Sequence, residues 1–158
     1  MNLTRRLNRL GSAVNVVSPH INHGGCCIYA ALVAEELNKQ GIHAAGIVTD
    51  GWSTPDAHID EVRPFIKINT IDEWENNGVS FNHVAVEYTI DGKTRHYDTS
   101  GVKKPNKRTF CGKRMYEGRL TLKEMKDLAA RKQGWNRDFN RAHIPMIRNM
   151  VKYYLSVD

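Results

Sequence analysis

The chain has 158 residues, enough for one compact domain whose core needs no disulfides. Apolar residues make up 41% and charged residues 25%, ordinary values for a soluble protein, and no apolar run approaches the roughly 18 residues of a membrane span. The net charge of +6 admits an acidic partner or nucleic acid, but it is modest enough to be a solvated basic face.

In chain order, residues 2–10 place Leu3, Leu7 and Leu10 at helical spacing with arginines between them, which predicts a short N-terminal helix. The same segment lacks the apolar stretch and small-residue cleavage site of a secretory signal. Ser18-Pro19 through Gly24-Gly25 reads as an irregular loop. Cys26 to Gln40 carries the strongest helix signal. Cys26, Ala30, Val33 and Leu37 form an apolar stripe, Glu35, Asn38 and Lys39 lie opposite, and Gly41 is placed to cap the C-terminus. Residues 42–48 suggest a short buried strand. Thr49 to Pro64 reads as a long loop, and 70–76 as a turn or two of helix.

A hairpin follows. Phe81 to Ile90 alternates, with Val84, Val86, Tyr88 and Ile90 on one face; Asp91-Gly92 is a strong two-residue turn signal, and Lys93 to Asp98 is the return strand. Residues 99–114 form a basic loop. Helices over about 121–132 and about 137–155 close the chain, the second delayed or kinked by Pro145. The expectation is a single α+β domain over 1–158, with its core in about 20–102 and a helical region in about 120–156. In the last helix, Met146, Ile147 and Met150 read as packing residues and Tyr153, Tyr154 and Leu155 as its anchor.

Cys26 stands at the predicted first turn of its helix, where unpaired N–H groups and the positive dipole end favour a thiolate. Gly24 and Gly25 before it let a backbone or a substrate approach closely, which makes them cleft candidates. The Cys26 amide can serve as an oxyanion donor. Centring the turn on Asp91-Gly92 pairs Ile90 with Lys93, Tyr88 with Arg95 and Ala85 with Asp98. Asp98 then shares a face with His83, as diagonal neighbours roughly 7–8 Å apart, close enough for a carboxylate to orient an imidazole. The bland readings are a small buried cysteine and a histidine and aspartate on the wet side of a hairpin.

Gly24-Gly25-Cys26, Tyr29-Ala30, a helix, Gly41 and a strand resemble the nucleophile segment of papain-like and transglutaminase-like cysteine enzymes. Asn82-His83-Val84-Ala85-Val86 and Tyr97-Asp98-Thr99-Ser100-Gly101-Val102 resemble the histidine and aspartate strands of that superfamily, in the same chain order. The resemblance spans about residues 20–102 and is nearest to small stand-alone bacterial or phage domains. It implies a nucleophile-bearing helix packed on a small antiparallel sheet. It further implies a Cys26–His83–Asp98 triad acting on an amide bond of a protein or peptide, with peptidase activity first and transglutaminase or deamidase chemistry next. No metal or organic cofactor is implied. The superfamily often has an Asn or Gln oxyanion donor shortly before the nucleophile, and Asn22 is the candidate for it, with His20 and His23 as unusual neighbours. Trp52 and His58, in the long loop, are candidates for lining the substrate cleft.

Three other readings compete. His20, His23, Cys26 and Cys27 have zinc-like spacing, but no second paired segment completes a site, so no metal is expected. Lys103, Lys104, Lys107, Arg108, Lys113 and Arg114 surround Phe110, and further arginines and lysines accompany Trp135 and Phe139. That pattern suits a catalytically silent basic module binding protein or nucleic acid, although packed aromatics are favoured over binding ones. His96 opposite Glu87 is a fallback base pair, and Cys111 reads as an incidental thiol. Three cysteines, two of them adjacent, argue against a disulfide framework. The expected location is a reducing cytoplasm, that of the host for a phage protein, with no membrane partner.

Overall fold

The computed structural model describes residues 2–53, 67–68, 79–105, 117–132 and 136–156. Among these residues the fold is α+β. Four α-helices, α1 (Leu3–Val17), α2 (Cys26–Lys39), α3 (Leu122–Ala130) and α4 (Ile144–Leu155), accompany one sheet. Its strands are β1 (Ala44–Ser53), β2 (Lys67–Ile68), β3 (Val79–Ile90), β4 (Lys93–Asp98), β5 (Gly101–Lys103) and β6 (Glu117–Leu120). The order across the sheet is β2-β6-β1-β3-β4-β5. Every pairing is antiparallel except that of β2 with β6. No helix among the described residues is long and apolar enough to cross a membrane.

α1 continues well past residue 10. Val14 extends the stripe of Leu3, Leu7 and Leu10, all four buried, and Asn2 caps the start by accepting the Arg5 N–H at 3.0 Å. The interior glycine, which argues against a long helix in sequence, has a packing reason: a Cβ on Gly11 would stand 2.9 Å from the Thr99 carbonyl oxygen. α2 begins and ends where its pattern places it, but it is buried on more than one stripe. Cys27, Ile28, Tyr29, Ala31 and Ala34 are buried as well as Cys26, Ala30, Val33 and Leu37. Gly41 follows it in the left-handed region, φ 75°, and donates to Asn38 O at 3.0 Å.

β1 runs to Ser53, so Trp52, expected in a long loop, belongs to a strand and pairs with Ser80 of β3. His58 and residues 70–76 lie outside the described residues. The hairpin β3–β4 has the expected register, with Ile90 opposite Lys93 and Tyr88 opposite Arg95. Asp91 and Gly92 have φ 51° and 69°, the pair of positive values that a tight hairpin with the native twist requires. Val84, Val86 and Tyr88 are buried as expected, whereas Ile90, beside the turn, is 37% exposed. The segment expected as a basic loop from 99 contains β5, which pairs back on β4 after a two-residue turn; residues 106–116, with Cys111 and Phe110, lie outside the described set.

α3 starts on a capping box between Thr121 and Glu124. α4 is shorter than expected. Arg141–His143 form a 3-10 turn, and Pro145 opens the helix in its first turn, where a missing N–H costs nothing, instead of kinking it. Ile147, Val151 and Leu155 supply its buried stripe. Met146 and Tyr153, expected to pack, are 39% and 77% exposed because they fall off that stripe. The main apolar cluster unites α1, α2, α3, α4 and one face of the sheet, through Val48, Val84, Val86, Tyr88, Tyr97 and Leu120. Cys26, Ile47 and Ala85 are buried outside that cluster, as are the polar His83, His96 and Asp98.

Candidate active site

Cys26 occupies the first position of α2 because two glycines precede it. Gly24 has φ 88°, which turns the chain into the helix, and Gly25 is the N-cap. Gly25 is there for space: a Cβ would lie 2.5 Å from Ile21 O and 2.6 Å from the Phe139 ring. Phe139 is thus a wall behind the cysteine loop, buried and edge-on to His143, and not an exposed stacking residue. No side chain caps α2, so its leading amides keep the donor character that stabilises an anion at Cys26.

The two neighbouring thiols differ in surroundings. Cys27 is fully buried, and its Sγ donates to Met125 O at 3.4 Å. Burial first, and then the proximity of Cys26, push its pKa well up, which leaves it an inert packing thiol. Cys26 is 2% exposed and interacts with the His83 imidazole.

His83 comes from β3 and Asp98 from the last position of β4. The Asp91-Gly92 turn sets their register, and His83 Nε2 lies 2.9 Å from Asp98 Oδ2. Nε2 is therefore committed to the carboxylate, and Cys26 is the ring's other side-chain partner. Burial disfavours a charged ring. The hydrogen bond to Asp98, then the hydrogen bond and charge of Cys26, outweigh it and raise His83 from 6.5 to about 9. The ring is thus held in its imidazolium form near neutral pH.

Asp98 is fixed from its other side. Its Oδ1 accepts the Ser100 N–H at 2.8 Å and the Ser100 hydroxyl, and Lys103 Nζ donates to that hydroxyl in turn. Thr99, buried in the same turn, accepts from Asn15 Nδ2 at its carbonyl (3.0 Å) and from Asn22 Nδ2 at its hydroxyl (2.8 Å). Asn22, the expected oxyanion donor, thus ties the cysteine loop to the aspartate turn and spends one amide proton doing so. Asn8 of α1 accepts the Val102 N–H at 2.8 Å, so one face of α1, carrying Asn8, Gly11 and Asn15, clamps residues 98–102. Beneath the site the Tyr29 and Tyr97 hydroxyls are hydrogen-bonded, and Tyr97 donates on to Leu7 O at 2.9 Å.

Sequence reasoning gave no role to Gly11 or Asn15, quoted Tyr29 and Ser100 only within motifs, and read Phe139 among the aromatics of the basic region. The spacing of Asn8, Gly11 and Asn15 was the available signal, a small polar stripe flanking the leucines. The fallback pair also forms. His96 Nε2 is 2.9 Å from Glu87 Oε2, and Arg119 Nε reaches Glu87 Oε1 at 2.7 Å. This is a cross-strand clasp, and the thiol's partner is His83.

His20 and His23 are exposed and meet edge to face at 5.6 Å, away from the burial of Cys26 and Cys27. Among the described residues no group of three or more His, Cys, Asp or Glu is gathered as for a metal ion. Comparison with protein-family models, with curated proteins and with solved structures finds no match.

Proposed function

We propose that the protein is a cysteine-dependent hydrolase or acyl transferase acting on an amide bond, peptidase activity being the first choice. The observation that carries this reading is the buried His83, pinned through Nε2 by Asp98 and interacting with Cys26 at a helix N-terminus. In the proposed reaction the Cys26 thiolate attacks the carbonyl carbon, and the helix-terminal amides stabilise the oxyanion. His83 then gives its proton to the leaving amine. The thioester carries the acyl group until water, or an acceptor amine, is deprotonated by His83 and releases it. Asp98 keeps the ring in place throughout.

The test is alkylation of Cys26 by iodoacetamide across pH, with the site assigned by mass spectrometry, in the parent and in His83→Ala. Reaction of Cys26 well below the ordinary thiol pKa of about 8.5, lost in His83→Ala, is the expected result. The near-complete burial of Cys26 favours a second reading, a catalytically silent domain of the same architecture acting as a binding module. A thiol that is inert at every pH in the folded parent would select it.

A further inference from the structure

α1 and α4 lie side by side, and a groove of about 1270 Å³ runs along them. Neither helix contains an aspartate or glutamate. On α1, Arg5, Arg9, Ser12 and Val16 recur along one exposed face, opposite the buried leucines, and all four line the groove. Tyr153 of α4 lines it too, 77% exposed and with its ring edge-on to that of Tyr154 at 5.2 Å. Arg6 serves structure instead, donating to the Leu155 and Ser156 carbonyls and holding the two helices together. The side chains of Arg5 and Arg9 make no ion pair or hydrogen bond among the described residues.

We propose that this groove binds single-stranded nucleic acid, with Arg5 and Arg9 on backbone phosphates and Tyr153 stacked on a base. Among the described residues that line the groove, guanidinium groups without a competing carboxylate complement a polyanion. An exposed aromatic ring in the same groove can stack on a base, which a single strand offers and an acidic peptide does not. A concave groove also suits a strand better than the flat surface of an anionic membrane. The proposal is independent of the chemistry at Cys26.

Fluorescence anisotropy with a labelled oligothymidylate, titrated at several salt concentrations, tests it. Two phosphate contacts predict that log affinity falls with log salt at a slope of about −1.4. Arg5→Glu/Arg9→Glu should weaken binding by at least about tenfold and flatten that slope, and Tyr153→Ala should weaken it about tenfold without changing the slope. Arg148→Glu/Lys152→Glu makes the same charge change in a separate groove shared with Glu35 and Glu36, and should have little effect. Thermal melts matching the parent establish that the variants fold. Absence of binding at low salt, equal loss in both charge-reversed variants, or no effect of Tyr153→Ala would each overturn the proposal. So would equally tight binding of labelled polyglutamate or of phosphatidylserine vesicles, which would assign the groove to an acidic protein or to a membrane.

Discussion

A histidine without exposed surface is ordinarily neutral, because burial penalises its charged form. His83 departs from this because Asp98 holds its Nε2 and Cys26 interacts with the same ring. Its folded pKa, about 9, stands above the unfolded value of 6.5, so its charged form is stabilised by folding. That contribution is complete below pH 6.5 and disappears as pH rises through 9. At about 1.4 kcal/mol per unit it amounts to roughly 3 kcal/mol. The stability difference between parent and His83→Gln, from urea denaturation at a series of pH values, should therefore shrink across that window and be flat below it. Asp98→Asn keeps the shape of the site but removes the charge that favours imidazolium. On the proposed function, alkylation of Cys26 at pH 6 should slow by at least about tenfold, since a neutral ring offers a sulfur anion no counter-ion. His83 and Asp98 were legible as a pair because a two-residue turn fixes every residue opposite every other. Their burial was not. Alternation alone marks Val84 and Val86 as the inward face, and the polar face looks wet until the packing on both sides is known.

Among the secondary-structure elements, α1 has the least visible task. Its leucines announce a helix, but the flanking face of Asn8, Gly11 and Asn15 reads as ordinary polar surface, and which turn lies against it is a contact between residues about ninety positions apart. Gly11 is the tightest point of that contact. Gly11→Ala would place a methyl group 2.9 Å from the Thr99 carbonyl oxygen, a backbone atom that yields only if the 98–102 segment shifts. Intrinsic helix propensity favours alanine by about 1 kcal/mol, whereas overpacking of this kind costs about 1–3 kcal/mol. The expected net result is a modest loss of stability together with slower Cys26 alkylation. Unchanged reactivity in calorimetrically intact Gly11→Ala would show that α1 supports the sheet without positioning Asp98. The same logic explains why the extent of α1 and β1 was underestimated. Gly51 reads locally as part of a loop, while in the fold it pairs with Phe81 in the ladder, and α1 runs on through Gly11, which permits a close approach.

Across the whole molecule, two histidine–carboxylate pairs bridge β3 and β4, and they divide the work. His83–Asp98 meets the thiol; His96–Glu87 is joined instead by Arg119 from β6, tying three strands together. Sequence register placed both pairs and could not rank them, because the rank depends on where α2 delivers Cys26. Burial works against the Glu87 carboxylate, but His96 and then Arg119 outweigh it and hold the group down at about 2, below its usual 4.5. A depressed pKa makes the contribution full above about pH 4.5 and lost as pH falls toward 2. Because Glu87 is half-buried, solvent screens part of the effect. Glu87→Gln should therefore lower the thermal midpoint at pH 7 by a few degrees, with a difference from the parent that closes on acidification. It should leave the pH profile of Cys26 alkylation where it was. Asp98→Asn should do the reverse, moving the alkylation profile more than its effect on stability would account for. If Glu87→Gln instead shifts Cys26 reactivity as far as Asp98→Asn does, the two pairs act as one network across the sheet, and the division between clasp and site fails.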